Sequence, residues 1–238
     1  MSIQKAILDV SKEDQKGITI ISPDGLEKHV SYKNFFYKSI VILSGIQKRG
    51  IKSGTEVIIY IHDIEKYLVA FSACILGKFI PVSVAVQKKE NADISNALSN
   101  IEAITNDSII ITSSKDNIFS LNNFNNVRAV YEFEELIYIS DNAVIVPQEE
   151  DELVMIQISS GTTGIPKGVM ITNKNVNCCL EETMKRLNFG KEDTTLNWLP
   201  LTHIFALIIN FLMPLYAKAD QYHMMPATFT MNPFYGWM

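Results

Sequence analysis

The chain has 238 residues, of which 47% are hydrophobic and 20% charged, an ordinary composition for a globular protein that buries a sizeable core. Its formal net charge is −5 and no run of basic residues exceeds a pair, so the sequence lacks the positive surface expected of a nucleic-acid-binding protein. Three cysteines, Cys74, Cys178 and Cys179, are too few for a disulfide framework and agree with a reduced, cytoplasmic setting.

The first half of the chain alternates apolar strands with amphipathic helices. Ser31 and Asp63 each precede apolar residues at helical spacing, so their side chains are predicted to cap two helices. The alternation predicts an α/β fold with layered, parallel-type sheets and flanking helices. Strands are predicted at Gly17–Ile21, Lys28–Val30, Val57–Ile61, Phe79–Val84 and Ile109–Ile111, and helices over Phe35–Arg49, Tyr67–Ile75 and Ile94–Ile101.

Two polar segments and one apolar strand come next along the chain. Asn117–Asn126 is rich in asparagine and is predicted to be a surface loop. Gln148–Glu152 is acidic, and a solvated lead-in to a strand explains it better than metal binding. The apolar run Leu153–Ile158 is predicted to be a buried strand in the centre of a sheet.

A glycine-rich run of ten residues, Ser159–Gly168, opens directly after that strand. Successive N–H groups in such a turn form an anion-binding concavity, and the charge of Lys167 can follow a shifting phosphate. The alternative is an ordinary solvated turn. We predict that the run binds the phosphates of a nucleoside triphosphate and that its loop leaves the carboxyl end of the strand. The predicted phosphate-binding residues are Ser159, Ser160, Gly161, Thr162, Thr163, Gly164, Lys167 and Gly168.

This run differs from the loop of the ordinary P-loop NTPases. In that pattern a glycine precedes the lysine, and a serine or threonine that holds magnesium follows it. Here Pro166 precedes Lys167 and Gly168 follows it. The sequence therefore disfavours a P-loop NTPase.

The last part of the chain is predicted to continue the alternation. Its most apolar stretch, Ile204–Leu215, is shorter than the roughly 20 residues that span a bilayer, so it is predicted to be a buried helix rather than a membrane span. His29, His62 and His223 are interpreted as structural. Strands are predicted at Val169–Thr172 and Thr194–Leu199, a helix capped by Asn173 between them, and the start of another helix at Thr230–Trp237.

Taken in order, these motifs resemble the adenylate-forming superfamily of acyl-CoA synthetases, luciferases and adenylation domains of peptide synthetases. The run Ser159–Gly168 resembles its phosphate loop almost letter for letter, and Trp198–His203 resembles the motif that follows it. Further similarities are at Val30–Tyr32 and Leu76–Val82, and, to the fatty-acyl-AMP ligase branch, at Pro214–Leu215, Gln221–Tyr222 and Met225–Pro226.

The resemblance implies that a carboxylate attacks the α-phosphate of ATP, that pyrophosphate leaves, and that a thiol captures the acyl-adenylate. It implies a catalytic role for Lys167, orientation of Mg²⁺ by Thr163, and an acyl pocket beside Trp198 and His203. The alternative for His203 is a histidine at a helix start, hydrogen-bonded to a backbone carbonyl. The sequence departs from many relatives at Ile204–Ala206, where an acidic residue and a glycine are common.

The resemblance also implies that residues 1–238 are a partial N-terminal, large adenylation domain. Later family motifs, for adenine, ribose, a magnesium-binding glutamate and a C-terminal lysine, have no candidate here, so a separately encoded C-terminal half is an expected partner. The other expected partners are a carboxylic acid and a thiol acceptor, either coenzyme A or a carrier protein. The alternative function is a non-catalytic remnant that binds phosphate weakly or acts as a scaffold.

Overall fold

The computed structural model describes residues 2–84, 104–114, 126–140, 142–159 and 167–231. The helix predicted over Ile94–Ile101 lies outside these residues, as do 117–125 of the predicted loop and 232–237 of the last predicted helix. The elements are, in chain order, α1 (Ile3–Asp9), β1 (Gly17–Ile21), β2 (Glu27–Ser31), α2 (Tyr32–Lys48), β3 (Glu56–Tyr60), α3 (Ile64–Leu76), β4 (Ile80–Ser83), β5 (Ser108–Thr112), β6 (Val127–Glu132), a 3₁₀-helix (Phe133–Leu136), β7 (Leu153–Ser159), β8 (Lys167–Thr172), α4 (Asn173–Leu187), β9 (Thr194–Asn197), a π-helix (Ala206–Leu212), α5 (Met213–Ala217), β10 (Asp220–Met224) and α6 (Pro226–Met231).

The chain divides into two compact units, and the first contains a four-stranded sheet. This unit comprises residues 1–39, 148–152 and 173–238. Its strand order is β2-β1-β10-β9, in which β2 is antiparallel to β1 while β10 is parallel to both of its neighbours. Phe35 packs edge-on against Phe211 within its core, with ring centroids 6.0 Å apart. The predicted hairpin of β1 and β2 is confirmed.

The second unit, residues 40–147 and 153–172, contains a six-stranded sheet in the order β6-β5-β3-β4-β7-β8. Its first five strands are parallel, and β8 is antiparallel at the edge. Val154 and Ile156 on β7 are buried, as predicted. β7 is an interior strand, paired with β4 and β8, but it is not in the centre of the sheet as predicted, because it lies next to the edge strand β8.

Local signals placed two of the helix starts correctly. The Ser31 hydroxyl accepts a hydrogen bond from the Asn34 N–H, and the Asp63 carboxylate accepts one from the Lys66 N–H at 2.8 Å. The predicted cap at Asn173 was wrong. Its side-chain amide instead donates to the Glu149 carbonyl at 3.0 Å, which ties the first turn of α4 to the acidic segment before β7.

The apolar stretch at 204–215 is largely buried, as predicted, but it is not one regular α-helix. Residues 206–212 form a π-helix that continues into α5, and the Met213 N–H bonds the Ile208 carbonyl five residues back. Pro214 lacks an N–H, so an α-helix would break its ladder here. No helix among the described residues is both long and apolar enough to cross a membrane.

Candidate functional site

The two strands that flank the glycine-rich run, β7 and β8, pair with each other as an antiparallel hairpin. Ser159 at the end of β7 is paired with Lys167 at the start of β8, and the Ser159 hydroxyl donates to the Lys167 carbonyl at 3.4 Å. Ser159 and Lys167 therefore lie at the carboxyl end of β7, the edge of the sheet at which ligands of α/β proteins bind. Five predicted phosphate-binding residues lie outside the described residues: Ser160, Gly161, Thr162, Thr163 and Gly164.

The described end of the hairpin presents a cation and a hydroxyl to solvent. Ser159 and Lys167 are both exposed. None of the ion pairs between described residues uses the Lys167 ammonium group. A lysine that no described carboxylate holds can give its charge to an anionic ligand without first breaking such a pair.

Gly168 is required by close packing beneath the hairpin. A Cβ atom at this position would lie 2.4 Å from the Cγ2 atom of Ile104 and 3.0 Å from that of Ile156. Both distances are shorter than normal van der Waals contacts, so a larger residue would displace one of the isoleucines. The structure thus gives Gly168 a packing role that the sequence pattern did not reveal.

Trp198 and His203 belong to the first unit, on the segment between β9 and the π-helix. The Trp198 ring stacks on Phe229 of α6, with centroids 4.6 Å apart and planes 11° apart, and remains 41% exposed. An aromatic pair that is packed on one side and open on the other can cover an apolar ligand.

His203 is exposed at the start of the helical stretch. Its Nδ1 atom accepts a hydrogen bond from the Phe205 N–H at 3.2 Å, and its carbonyl accepts the Leu207 N–H. The ring therefore caps the helix by accepting a hydrogen bond from a backbone N–H. The alternative considered from the sequence was a helix-start histidine bonded to a backbone carbonyl. Because Nδ1 is an acceptor, the proton of the neutral ring is on Nε2, which no described residue engages.

Sequence reasoning missed a chain of buried polar side chains behind this segment. Asn197 donates to the Nδ1 of His223 at 3.3 Å, and the Nε2 of His223 donates to Gln221 at 2.7 Å. Gln221 in turn donates to the hydroxyl of Tyr32 at 2.8 Å, which donates to the Ala219 carbonyl. Burial lowers the pKa of His223 to about 3 and raises the pKa of Tyr32 above its ordinary value. The sequence did offer one signal: Gln221 and His223 are two residues apart, so in a strand their side chains lie on the same face.

Clusters of metal-binding side chains are absent from the part of the chain that the structure covers. No cluster of three His, Cys, Asp or Glu side chains could hold an ion among the described residues. Mg²⁺ commonly binds through substrate phosphates, with few protein ligands and several waters. An ion carried by a nucleotide would therefore need few ligands from the described residues.

A sequence model of the family described as AMP-binding enzyme matches residues 11–235. The chain belongs to the AMP-binding enzyme family. The match spans both units and includes the hairpin of Ser159 and Lys167 as well as the segment that carries Trp198 and His203. It confirms the predicted family and its α/β fold class, whereas the roles of the individual residues remain predictions.

Proteins with sequences similar to this chain include several ligases. The chain is 37% identical over 86 residues to a medium-chain-fatty-acid–[acyl-carrier-protein] ligase of Teredinibacter turnerae, covering 35% of this chain and 13% of that protein. It is 27% identical over 205 residues to 4-coumarate:CoA ligase 1 of Petunia hybrida, covering 77% of this chain and 36% of the relative. The chain thus spans about a third or less of the length of these relatives.

Among solved structures, the AMP-binding fold is similar to an A-PCP structure of McyG in complex with phenylalanyl-adenylate. The TM-score is 0.91 at 27% identity, over 99% of this chain and 38% of the other. Fatty acyl-adenylate ligases from E. coli and L. pneumophila share the fold, with a TM-score of 0.88 at 18% identity over 98% of this chain and 43% of the matched chain.

Proposed function

We propose that this chain provides the phosphate-binding and acid-binding side of an ATP-dependent acid–thiol ligase. The enzyme would join a carboxylic acid, specifically a fatty acid, to AMP and pass the acyl group to a thiol. The observation that carries the proposal is the hairpin in which Ser159 and Lys167 frame the family's glycine and hydroxyl run at the carboxyl end of β7.

The phosphate side acts by holding the leaving group. Adenylation transfers charge onto pyrophosphate, so the site gains most from groups that stabilise charge on the β- and γ-phosphates. We assign the ammonium of Lys167 and the hydroxyls of Thr162 and Thr163 to these oxygens, with Ser159, Ser160, Gly161, Gly164 and Gly168 shaping the turn.

Magnesium would reach this site with the nucleotide and would supply positive charge that offsets the negative charge of the phosphates. The described residues supply hydroxyl oxygen at Ser159 but no carboxylate cluster, which agrees with an ion held mainly by ATP. Thr163 is our proposed orienting residue for the ion. The protein's own part is therefore to position the phosphates and not to cage the metal.

The acid side consists of Trp198 and His203. The exposed face of the stacked Trp198 ring would cover an apolar acyl chain, and the Nε2–H of His203 would donate to a carboxylate or acyl oxygen. Ile204–Ala206 replace the acidic residue and glycine of many relatives, so we expect a more apolar pocket wall here. An apolar wall favours a fatty acid.

Both kinds of thiol acceptor occur among the relatives, since one is named as a ligase for acyl-carrier protein and another as a CoA ligase. We propose a cytoplasmic enzyme with one of these acceptors. We also propose that residues for adenine and ribose come from sequence outside these 238 residues, whether on the same polypeptide or on a separate one.

Calorimetric titration with ATP and with pyrophosphate tests the phosphate site. Lys167→Ala should weaken binding by about 1–3 kcal/mol, because it removes a charged hydrogen-bond donor. Lys52→Ala is the matched control, since it removes the same charge from another exposed position of the same unit. If both variants lose the same binding free energy, the loss is explained by the change in net charge, and the assigned role of Lys167 is refuted.

The same titration separates the ligase from its alternative. A ligase requires that wild-type protein bind ATP and that a fatty acid bind in addition to it. Binding of phosphate without any binding of a fatty acid would favour the non-catalytic remnant.

A further inference from the structure

Asn197 is the hub of a polar cluster at the end of β9. Its Oδ1 atom accepts from the Leu199 N–H at 3.2 Å and from the Asn210 side chain at 3.1 Å. Its Nδ2 group donates to the Leu199 carbonyl at 3.0 Å and to the Nδ1 atom of His223 at 3.3 Å. One buried side chain thus holds the backbone of Leu199 at both its N–H and its carbonyl.

The residue held in this way lies inside the proposed acid-binding segment. Leu199 is flanked by Trp198 and Pro200, and the Pro200 carbonyl accepts the His203 N–H at 2.8 Å. The other partner of Asn197, the side chain of Asn210, projects from the π-helix that follows His203. Asn197 therefore holds the start of the segment and links it to the π-helix that follows.

His223 fixes Asn197 in turn. The ring is fully buried and accepts from Asn197 at Nδ1 while it donates to Gln221 from Nε2, which requires the neutral Nε2–H tautomer. Every subsequent link, from Gln221 to Tyr32 to the Ala219 carbonyl, donates in the same direction. A fully satisfied buried network of this kind permits one arrangement of its members, since any rotation leaves a buried polar group unpaired.

We infer that Asn197 and His223 are positioning residues that orient Trp198 and His203 for the acid substrate through the backbone of Leu199. The inference rests on the proposed acid-binding role of Trp198 and His203. Neither positioning residue touches the substrate, because both side chains are buried and engaged with protein groups.

The test uses the stacked Trp198 ring as a reporter in a Trp237→Phe background, which leaves a single tryptophan. His223→Leu removes both ring nitrogens, and His223→Gln restores one acceptor and one donor. We expect His223→Leu to shift the Trp198 emission to longer wavelength and to reduce its near-ultraviolet circular dichroism, with the far-ultraviolet spectrum retained. His223→Gln should restore both signals.

Two further variants keep the test decisive. His29→Leu alters an exposed histidine on β2 of the same sheet and should leave the Trp198 signals unchanged. If His223→Leu fails to fold, Asn197→Ala takes its place, because it removes the side chain that bonds Leu199, Asn210 and His223 and leaves nothing with which a changed tautomer of His223 could pair. A folded Asn197→Ala or His223→Leu protein with wild-type Trp198 spectra would overturn the inference.

Binding of decanoate, measured by calorimetry in the presence of ATP, separates this inference from the proposed function. We expect at least a tenfold weaker affinity in His223→Leu and recovery in His223→Gln. If wild-type protein binds no decanoate while the Trp198 spectra respond as expected, the acid site is refuted and the positioning of Trp198 stands. If decanoate binds equally to all variants, the positioning role is refuted and the acid site stands.

Discussion

Gly168 shows how one hydrogen atom in place of a side chain decides local packing. Alanine at this position would place a Cβ atom 2.4 Å from the Cγ2 atom of Ile104. We expect Gly168→Ala to lower the free energy of unfolding by about 1–3 kcal/mol, as overpacking usually does. Urea unfolding followed by circular dichroism measures the change.

The control for this prediction is Gly190→Ala, because Gly190 has an ordinary backbone conformation and a Cβ atom there would have no other atom within 4 Å. It should change stability little. Ile104→Ala should remove part of the penalty of Gly168→Ala in the double variant, since the clashing methyl group is then gone. Additive effects of the two substitutions would contradict the packing explanation.

The buried imidazole of His223 makes stability depend on pH. Burial lowers its pKa in the folded state to about 3, whereas the unfolded chain has an ordinary value near 6.5. As pH falls below 6.5 the unfolded state takes up a proton that the folded state refuses, so stability decreases down to about pH 3. Between about pH 7 and pH 5 we expect this residue to remove about 2 kcal/mol.

Comparing wild type with His223→Gln at the two pH values isolates that contribution, because other titrating groups cancel in the difference. Glutamine does not titrate and keeps the polarity of the network. The wild-type protein should therefore lose more stability than the variant on acidification. Parallel losses would show that His223 is not held neutral.

Residue-level expectations from sequence succeeded where the cause was local. The caps at Ser31 and Asp63 depend on three neighbouring residues, and both are present. Asn173 failed because its side chain bonds to Glu149, which is distant in sequence. Cys178 and Cys179 lie on α4, and both are exposed.

At the scale of elements, the π-helix is the feature that the sequence conceals. The carbonyl of Asn210 would receive the N–H of residue 214 in an α-helix, but that residue is proline. The hydroxyl of Thr195 on β9 donates to this carbonyl at 3.2 Å. The wide turn is thus stabilised from the neighbouring strand.

Thr195→Val should therefore destabilise the protein by about 1–2 kcal/mol, because the methyl group fills the same space while the partly buried carbonyl loses a donor. Thr194→Val on the same strand is the control, since its side chain is exposed and should alter stability by less than about 0.5 kcal/mol. Thermal or urea unfolding distinguishes them. If the two variants lose equal stability, the loss comes from placing valine in this strand and not from the missing hydrogen bond.

Strands β6 and β10 were not predicted, and their composition explains why. The sequences of Val127–Glu132 and Asp220–Met224 mix charged and polar residues with apolar ones, so neither has the apolar run of β3 or β5. Their strand structure depends on pairing, β6 with β5 and β10 with β1. The partner of β10 lies about two hundred residues earlier, beyond the reach of any local pattern.

At the scale of the whole molecule, the two units are interleaved along the chain. Residues 40–147 and 153–172 of the second unit are inserted between segments of the first. Loss of structure in the second unit would leave long loops within the first, at an entropic cost. Neither unit is formed by one continuous stretch of sequence.

We therefore expect the two units to unfold in a single transition. Trp198 emission in the Trp237→Phe background reports on the first unit, and thiol labelling of Cys74, which is fully buried, reports on the second. A Cys178→Ser, Cys179→Ser background removes the exposed thiols. Coincident urea midpoints are the expected result, and midpoints that differ beyond experimental error would contradict it.

The candidate site was predictable in part. Motif resemblance identified the family, and the apolar run before Ser159 located the hairpin at the carboxyl end of a strand. The packing of Gly168 against Ile104 and the stack of Trp198 on Phe229 join residues distant in sequence, so no local pattern reports them.

The one-way chain of hydrogen bonds from Asn197 to the Ala219 carbonyl has a consequence for how this sequence can diverge. An aspartate inherited at position 197 would meet an acceptor at His223, so it can persist only if the ring changes tautomer or residue 223 is replaced as well. A reversed tautomer would then force Gln221 to turn. Among descendants of this chain, we therefore expect substitutions at positions 197, 221 and 223 to occur together, although position 197 is distant in sequence from the other two.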